Sequence, residues 1–258
     1  MLHGFPHTWE VWTEVMADLA TRHRVIAPDL RGFGASGRAA SGYDAGTLAE
    51  DAAALLAALD VSSAAVVGID AGVAPAFLLA LRRPVSSGAS SSWRPCWAGW
   101  PAPRTSSPTD RRGGFGPHSA ATRPGRDRAG GTRGGLRRLV PAHRHARRRG
   151  APPAVRDAFV RAYTGRQALS CAFSYYRALP ESAAQIERAV ATARLTVPTM
   201  ALGARPVGTA LERQLRPFTD DLTGHVIEDC GHIIPLHRPR ALLTLLRPFL
   251  AGEDVRAA

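Results

Sequence analysis

One carboxylate in this chain sits where a side chain can react. In Gly68-Ile69-Asp70-Ala71-Gly72 a run of small β-formers ends, and a small-residue helical stretch, Val73 to Leu81, follows. A strand-to-helix turn this sharp needs small flanks. It lifts the central side chain clear of the sheet and lets the next amide, that of Ala71, join an oxyanion hole. With Asp at the centre, the nucleophile is a carboxylate and the expected intermediate is an alkyl-enzyme ester rather than an acyl-serine. The plainer reading is an Asp that caps the helix starting at Ala71.

Two other stretches carry complementary chemistry. His232 lies in EDCGHIIP, just after a strand near the C-terminus, with Gly231 before it and apolar residues after. A His there is placed to activate a water against an ester; otherwise it is a surface-loop His. His3-Gly4-Phe5-Pro6 follows Met1-Leu2. A glycine-containing turn after a strand can aim a backbone N–H at an oxyanion; otherwise it is a plain turn.

These residues need a scaffold that brings them together, and the hydrophobic pattern predicts one. A helix is expected from about Trp9 to Ala20, a short buried strand over Arg24 to Pro28, and then the glycine-rich loop DLRGFGASG. DAGTLAEDAAALLAALD reads as a helix with Asp44 as its N-cap. SAAVVG is the next strand, ending at Asp70. Helices are expected from Pro153 to about Ala193, then a strand (LTVPTMALGA), a helix (GTALERQLRPF), a strand (GHVIED), the His232 loop and a final helix (RALLTLLRPFLAG). Strands alternating with helices imply an α/β protein with a parallel sheet covered on both faces. In such sheets the chemistry gathers at the carboxyl ends of the strands.

The composition allows a sizeable core, with 45% apolar residues among 258. No apolar run is long enough to span a bilayer, and no charged start leads into an apolar segment. A cytoplasmic location is therefore the expectation. The three cysteines, Cys96, Cys171 and Cys230, share no metal-ligand spacing, and their odd number argues against a disulfide framework. The net charge of +12 would suggest nucleic acid, but its distribution does not. Residues 86–150 hold 14 Arg against two Asp, the rest balances 19 against 19, and lysine is absent throughout.

That middle segment is unlike the rest. Its aliphatic branched residues are Leu136, Leu139 and Val140, and Gly plus Pro make up 18 of its 65 residues, so no strand or helix is expected in it. Three readings stand. The segment is translated out of frame, since a shifted frame of GC-rich coding sequence yields Arg, Gly, Pro, Ser and Ala; or it is a disordered basic insert; or it is a nucleic-acid arm. Irregular Arg/Gly spacing and the clustering of Trp93, Trp97 and Trp100 argue against the arm.

Taken in order, HGFP…W, PDLRGFGASG, VGIDAG, YYRAL and EDCGHIIP resemble the α/β-hydrolase family, and within it the epoxide hydrolase branch. The likeness covers roughly residues 2–85 and 152–252. It implies an incomplete α/β-hydrolase fold with a remnant helical cap. The core would be 1–85 and 195–258, the cap helices 151–194, and 86–150 would stand in place of a core strand and most of the cap. The resemblance implies Asp70 as nucleophile, His232 as base, the Phe5 and Ala71 amides as oxyanion hole, and Tyr176 as the cap tyrosine that protonates the epoxide oxygen. Tyr176 otherwise reads as a core aromatic. The implied partner is a small-molecule substrate, with no metal, no cofactor and no membrane; the oligomeric state is open.

The sequence departs from the family pattern in four places. It begins at the HG turn, after the point where the family's first strands lie, which reads as N-terminal truncation. The second cap tyrosine, expected within 86–150, is not visible. Arg205-Pro206-Val207-Gly208-Thr209, where the family places the acid that orients the histidine, has no carboxylate; Asp220 and Asp221 follow only after a helix. Ile69 and Ala71 stand where His and Trp are usual. The alternative, a haloalkane or fluoroacetate dehalogenase-like hydrolase, shares the HGFP turn and the Asp. It needs a Trp or Arg just after the nucleophile, which Ala71 and Val73 do not supply. An inactive frameshifted product is the third outcome.

Overall fold

The computed structural model describes residues 1–83, 96–98, 151–205 and 207–253, with the backbone alone for 96–98. After a single 3-10 turn at Trp9–Trp12 comes α1 (Thr13–Leu19), then α2 (Ala45–Ala58), β1 (Val67–Ile69) and α3 (Val73–Arg82). β2 (Cys96–Ala98) precedes three helices, α4 (Pro153–Ala162), α5 (Arg166–Arg177) and α6 (Leu179–Val190). The chain closes with β3 (Thr199–Gly203), α7 (Ala210–Leu215), β4 (Leu222–Val226), α8 (Ile234–His237) and α9 (Pro239–Ala251).

Local signals account for the helix ends. Asp44 caps α2, its side chain accepting from the Thr47 amide at 2.9 Å. α9 opens with Pro239, whose missing N–H costs nothing in a first turn, and ends at Gly252 with φ 86°.

The strands form one parallel sheet in the order β1-β2-β3-β4. On the far side of β1, Leu2 bridges to Gly68, donating to the Val67 carbonyl and accepting from the Ile69 amide. Alternate side chains enter alternate faces of a strand. Val67, Ile69, Met200 and Leu202 accordingly pack with Val15, Leu242, Leu246 and Phe249 of α1 and α9. Val66 and Ala201 pack on the opposite face with Leu48, Phe77 and Leu78 of α2 and α3. Each large side chain buried in this way stabilises the fold by about 1.5–3 kcal/mol.

Two expectations need correcting. Residues 24–28 are not a strand: Arg24 is exposed and the rest of the stretch half-buried, and the Met1 ammonium donates to the Ile26 carbonyl at 2.6 Å. Apolar content made it look like a strand, but among the described residues it has no ladder partner. The second correction is β2, which lies inside the segment where no strand was expected and fills the place between β1 and β3. Three residues are too few to show any periodicity, so its position comes from the neighbouring edges. The other readings of 86–150, including the out-of-frame reading and the basic arm, lie outside the described residues.

The helix α6 is joined to the core through polar contacts. The first amides of α2 would otherwise lack partners. Ser182 Oγ accepts from the Ala45 amide at 3.0 Å, Gln185 Oε1 accepts from the Gly46 amide at 2.7 Å, and Gln185 Nε2 donates to Asp44 Oδ1 at 2.7 Å.

Candidate active site

β1 delivers Asp70 into a 3-10 turn, Asp70–Gly72, that leads directly into α3. Its φ is 53°, in the left-handed region. Asp tolerates this region better than most residues, at a cost of about 1–3 kcal/mol. The flanking glycines are sterically required. A Cβ on Gly68 would lie 2.5 Å from the Gly72 carbonyl oxygen, and one on Gly72 would lie 2.4 Å from the Leu2 carbonyl oxygen. Gly4 is equally confined, since its Cβ would meet that of Asp70 at 2.3 Å.

The two oxygens of Asp70 have different partners. Oδ1 accepts from the Phe5 amide at 2.9 Å and from the Ala71 amide at 2.8 Å. Oδ2 lies 2.9 Å from His232 Nε2. Burial alone would raise the Asp70 pKa, but the His232 contact, its charge and the Phe5 amide outweigh it and hold the carboxyl below its ordinary value. The side chains of Asp70 and His232 keep 23% and 20% of their surface exposed, so both remain reachable by solvent.

His232 is carried by the loop between β4 and α8. Buried Ile233 and Ile234 anchor one side of it, and the Arg205 amide donates to the Cys230 carbonyl at 3.1 Å on the other. Gly231 is needed where the His237 ring presses closest, since a Cβ there would lie 2.7 Å from it.

Tyr176 projects from α5 and sets its ring edge-on to Phe5, with centroids 5.6 Å apart. Burial, then the Asp70 charge, push its hydroxyl well above the ordinary tyrosine value, so it holds its proton. It makes no hydrogen bond among the described residues. The structure therefore brings Asp70, His232, Phe5 and Ala71 into direct contact and sets Tyr176 on the adjoining wall.

Other residues around the site were not singled out by sequence. Tyr175, also raised by burial and by Asp70, packs edge-on against Tyr176. Tyr163, just after α4, is fully buried and donates to the His7 carbonyl at 2.6 Å. Asp29 accepts from the Trp9 amide at 2.9 Å and the Ala35 amide at 2.8 Å. His3, fully buried, lies 2.9 Å from the Gly4 carbonyl through Nδ1 and accepts from the Leu30 amide at 3.0 Å through Nε2. Asp29 follows a Pro at the edge of a glycine-rich loop, which was the one available signal. Gly34 lets the loop wrap it, since a Cβ there would lie 2.0 Å from Asp29 Oδ2.

Among the described residues no cluster of three or more His, Cys, Asp or Glu could hold a metal ion, and no helix is long and apolar enough to cross a membrane. A surface hollow of about 350 Å³ between α3 and α6, lined by Leu81, Gln185 and Arg188 among others, contains none of the site residues.

Parts of the sequence, and the fold, are similar to known proteins. A soluble epoxide hydrolase from Corynebacterium sp. is 41% identical over 80 residues, 31% of this chain and 28% of that protein. A haloalkane dehalogenase from Mesorhizobium japonicum is 40% identical over 83 residues, 32% of this chain and 27% of that protein. This chain thus spans less than a third of the length of either curated relative in these matches. The crystal structure of wild-type Cfl2 from Burkholderia cenocepacia superimposes with a TM-score of 0.79 at 29% identity, over 96% of this chain and 86% of that one. The family model described as alpha/beta hydrolase fold matches residues 1–239. The chain belongs to the α/β hydrolase family.

Proposed function

We propose that the protein opens epoxides by hydrolysis through a covalent ester on Asp70, giving vicinal diols. The observation that carries this reading is the division of labour at Asp70: two amides hold Oδ1, and Oδ2 faces His232. Oδ2 attacks an epoxide carbon, and the carbon–oxygen bond of the ring breaks. Tyr176 gives its proton to the ring oxygen. Oδ1 becomes the ester carbonyl oxygen, already placed between the Phe5 and Ala71 amides. His232 then takes a proton from water as the water oxygen adds to Cγ. The charge that develops on Oδ1 is met by the two amides. Collapse breaks the bond from Cγ to Oδ2, and Oδ2 departs in the diol. Protons return from His232 to the leaving alkoxide and from solvent to Tyr176.

This sequence predicts where water's oxygen goes. A single turnover in ¹⁸O-water leaves the diol unlabelled and puts the label in Asp70, read by peptide mass. Label in the diol after one turnover would mean direct attack of water on the epoxide and would end the ester reading.

A dehalogenase-like hydrolase is the second reading, favoured by the similarity to the haloalkane dehalogenase. It uses the same ester but must hold a halide, and buried Ala71 and Val73 offer no donor side chain after the nucleophile. Halide release from 1-bromobutane, without diol formation from styrene oxide, would select it.

A further inference from the structure

We infer that Asp29 is a positioning residue for the Phe5 amide, and so acts on hydrolysis of the ester rather than on its formation. This rests on the ester reading above. Phe5 lies in a turn with only Gly4 between it and His3. That turn is held at three points, one within it and two from outside. His3 Nδ1 bonds the Gly4 carbonyl, Tyr163 donates to the His7 carbonyl, and Asp29 Oδ1 receives the Trp9 amide.

Asp29 also joins this turn to a second loop. Its Oδ2 receives the Ala35 amide, its carbonyl receives the Ser36 hydroxyl at 2.6 Å, and the next amide, Leu30, donates to His3. The carboxylate, 7% exposed, lies 3.6 Å from His3 Nε2. The two loops brace each other through one acid, and the Phe5 N–H leaves this brace toward Asp70 Oδ1.

The two chemical steps use that N–H differently. During attack on the epoxide, Oδ1 loses negative charge, so its donors add little to the transition state. During ester hydrolysis, Oδ1 gains a full charge, and a donor displaced by a fraction of an ångström is felt. Asp29→Asn turns one acceptor oxygen into a donor facing a backbone N–H. It should slow ester hydrolysis about 10- to 100-fold, less than outright loss of an oxyanion donor, while alkylation stays within about twofold.

Trp9→Pro offers a gentler version. Trp9 is the first residue of its 3-10 turn and Thr8 is extended (φ −132°, ψ −177°), so proline fits the backbone; it deletes the N–H that Asp29 receives, together with an exposed indole, and leaves the Asp29 carboxylate in place.

The experiment is rapid-quench mass analysis of the Asp70 peptide with styrene oxide as probe, on full-length wild type, Asp29→Asn and Trp9→Pro. Accumulation of ester in the variants, with its formation rate unchanged, supports the inference. Equal slowing of both steps, or hydrolysis at the wild-type rate in a folded Trp9→Pro, overturns it. If the wild type turns over styrene oxide without ever carrying an ester, the functional reading itself fails.

Discussion

Replacing Asp70 separates chemistry from architecture, because two substitutions with the same catalytic consequence should differ in stability. Asp70→Asn and Asp70→Ala both remove the proposed nucleophile, and on that reading neither should turn over. In Asn, Oδ1 still accepts from the Phe5 and Ala71 amides, and the residue tolerates a φ of 53°. In Ala that acceptor vanishes and both amides lose their partner. The site is partly open, so water reaches the orphaned amides and each costs near the low end of the usual penalty, about 1 kcal/mol. Left-handed backbone at Ala adds about 1 kcal/mol more. The gap is then about 3 kcal/mol, or about 6–12 °C in melting temperature for a chain of this size. Melts of both variants by circular dichroism at pH 7 measure it. If Asp70→Ala melts within about 2 °C of Asp70→Asn, the two amides are not held by Oδ1, and the oxyanion geometry is wrong.

Three further outcomes are expected. Tyr176→Phe should lower kcat on epoxides about 10²- to 10⁴-fold. The fold should be unchanged, because the hydroxyl bonds no described residue; steady-state kinetics and a thermal melt together check this. Leu246→Ala, at a fully buried position between α9 and the sheet, should cost about 2–5 kcal/mol by denaturant titration with little change in site geometry. His3 is held neutral, its pKa lowered first by burial. Its unfolded pKa is about 6.5, so the unfolded chain binds the proton first. The stability that His3 contributes is full above that pH and falls as pH drops below it; a His3→Gln variant should show a shallower slope in urea titrations across pH 5 to 8, the remainder coming from groups such as His237, whose pKa burial also lowers.

The elements that could be read from sequence are those with strong local grammar. Asp44 before an alanine-rich helix, Pro239 and Gly252 bounding α9, and glycines bracketing Asp70 each act through neighbours in the chain. The same holds for Phe5, Ala71 and His232: their motifs were visible, and the structure sets them around one carboxylate. What escaped was decided by distant partners. Arg24 to Pro28 carries strand-like residues but lacks a ladder, and β2 is a strand only because β1 and β3 stand on either side of it. Tyr163 and Asp29 gain their roles from backbone groups far away in sequence, which no local pattern announces.

The contact between His232 and Asp70 joins residues 162 positions apart, and that from Phe5 to Asp70 spans 65. Such pairings form only after most of the chain entropy has been given up, since closing so long a loop is unfavourable until the intervening elements have packed. No fragment that lacks either end can hold the three segments in place. During refolding, helical signal should therefore return before catalytic competence. Recovered activity would report the completion of the whole fold rather than the formation of any one of its parts.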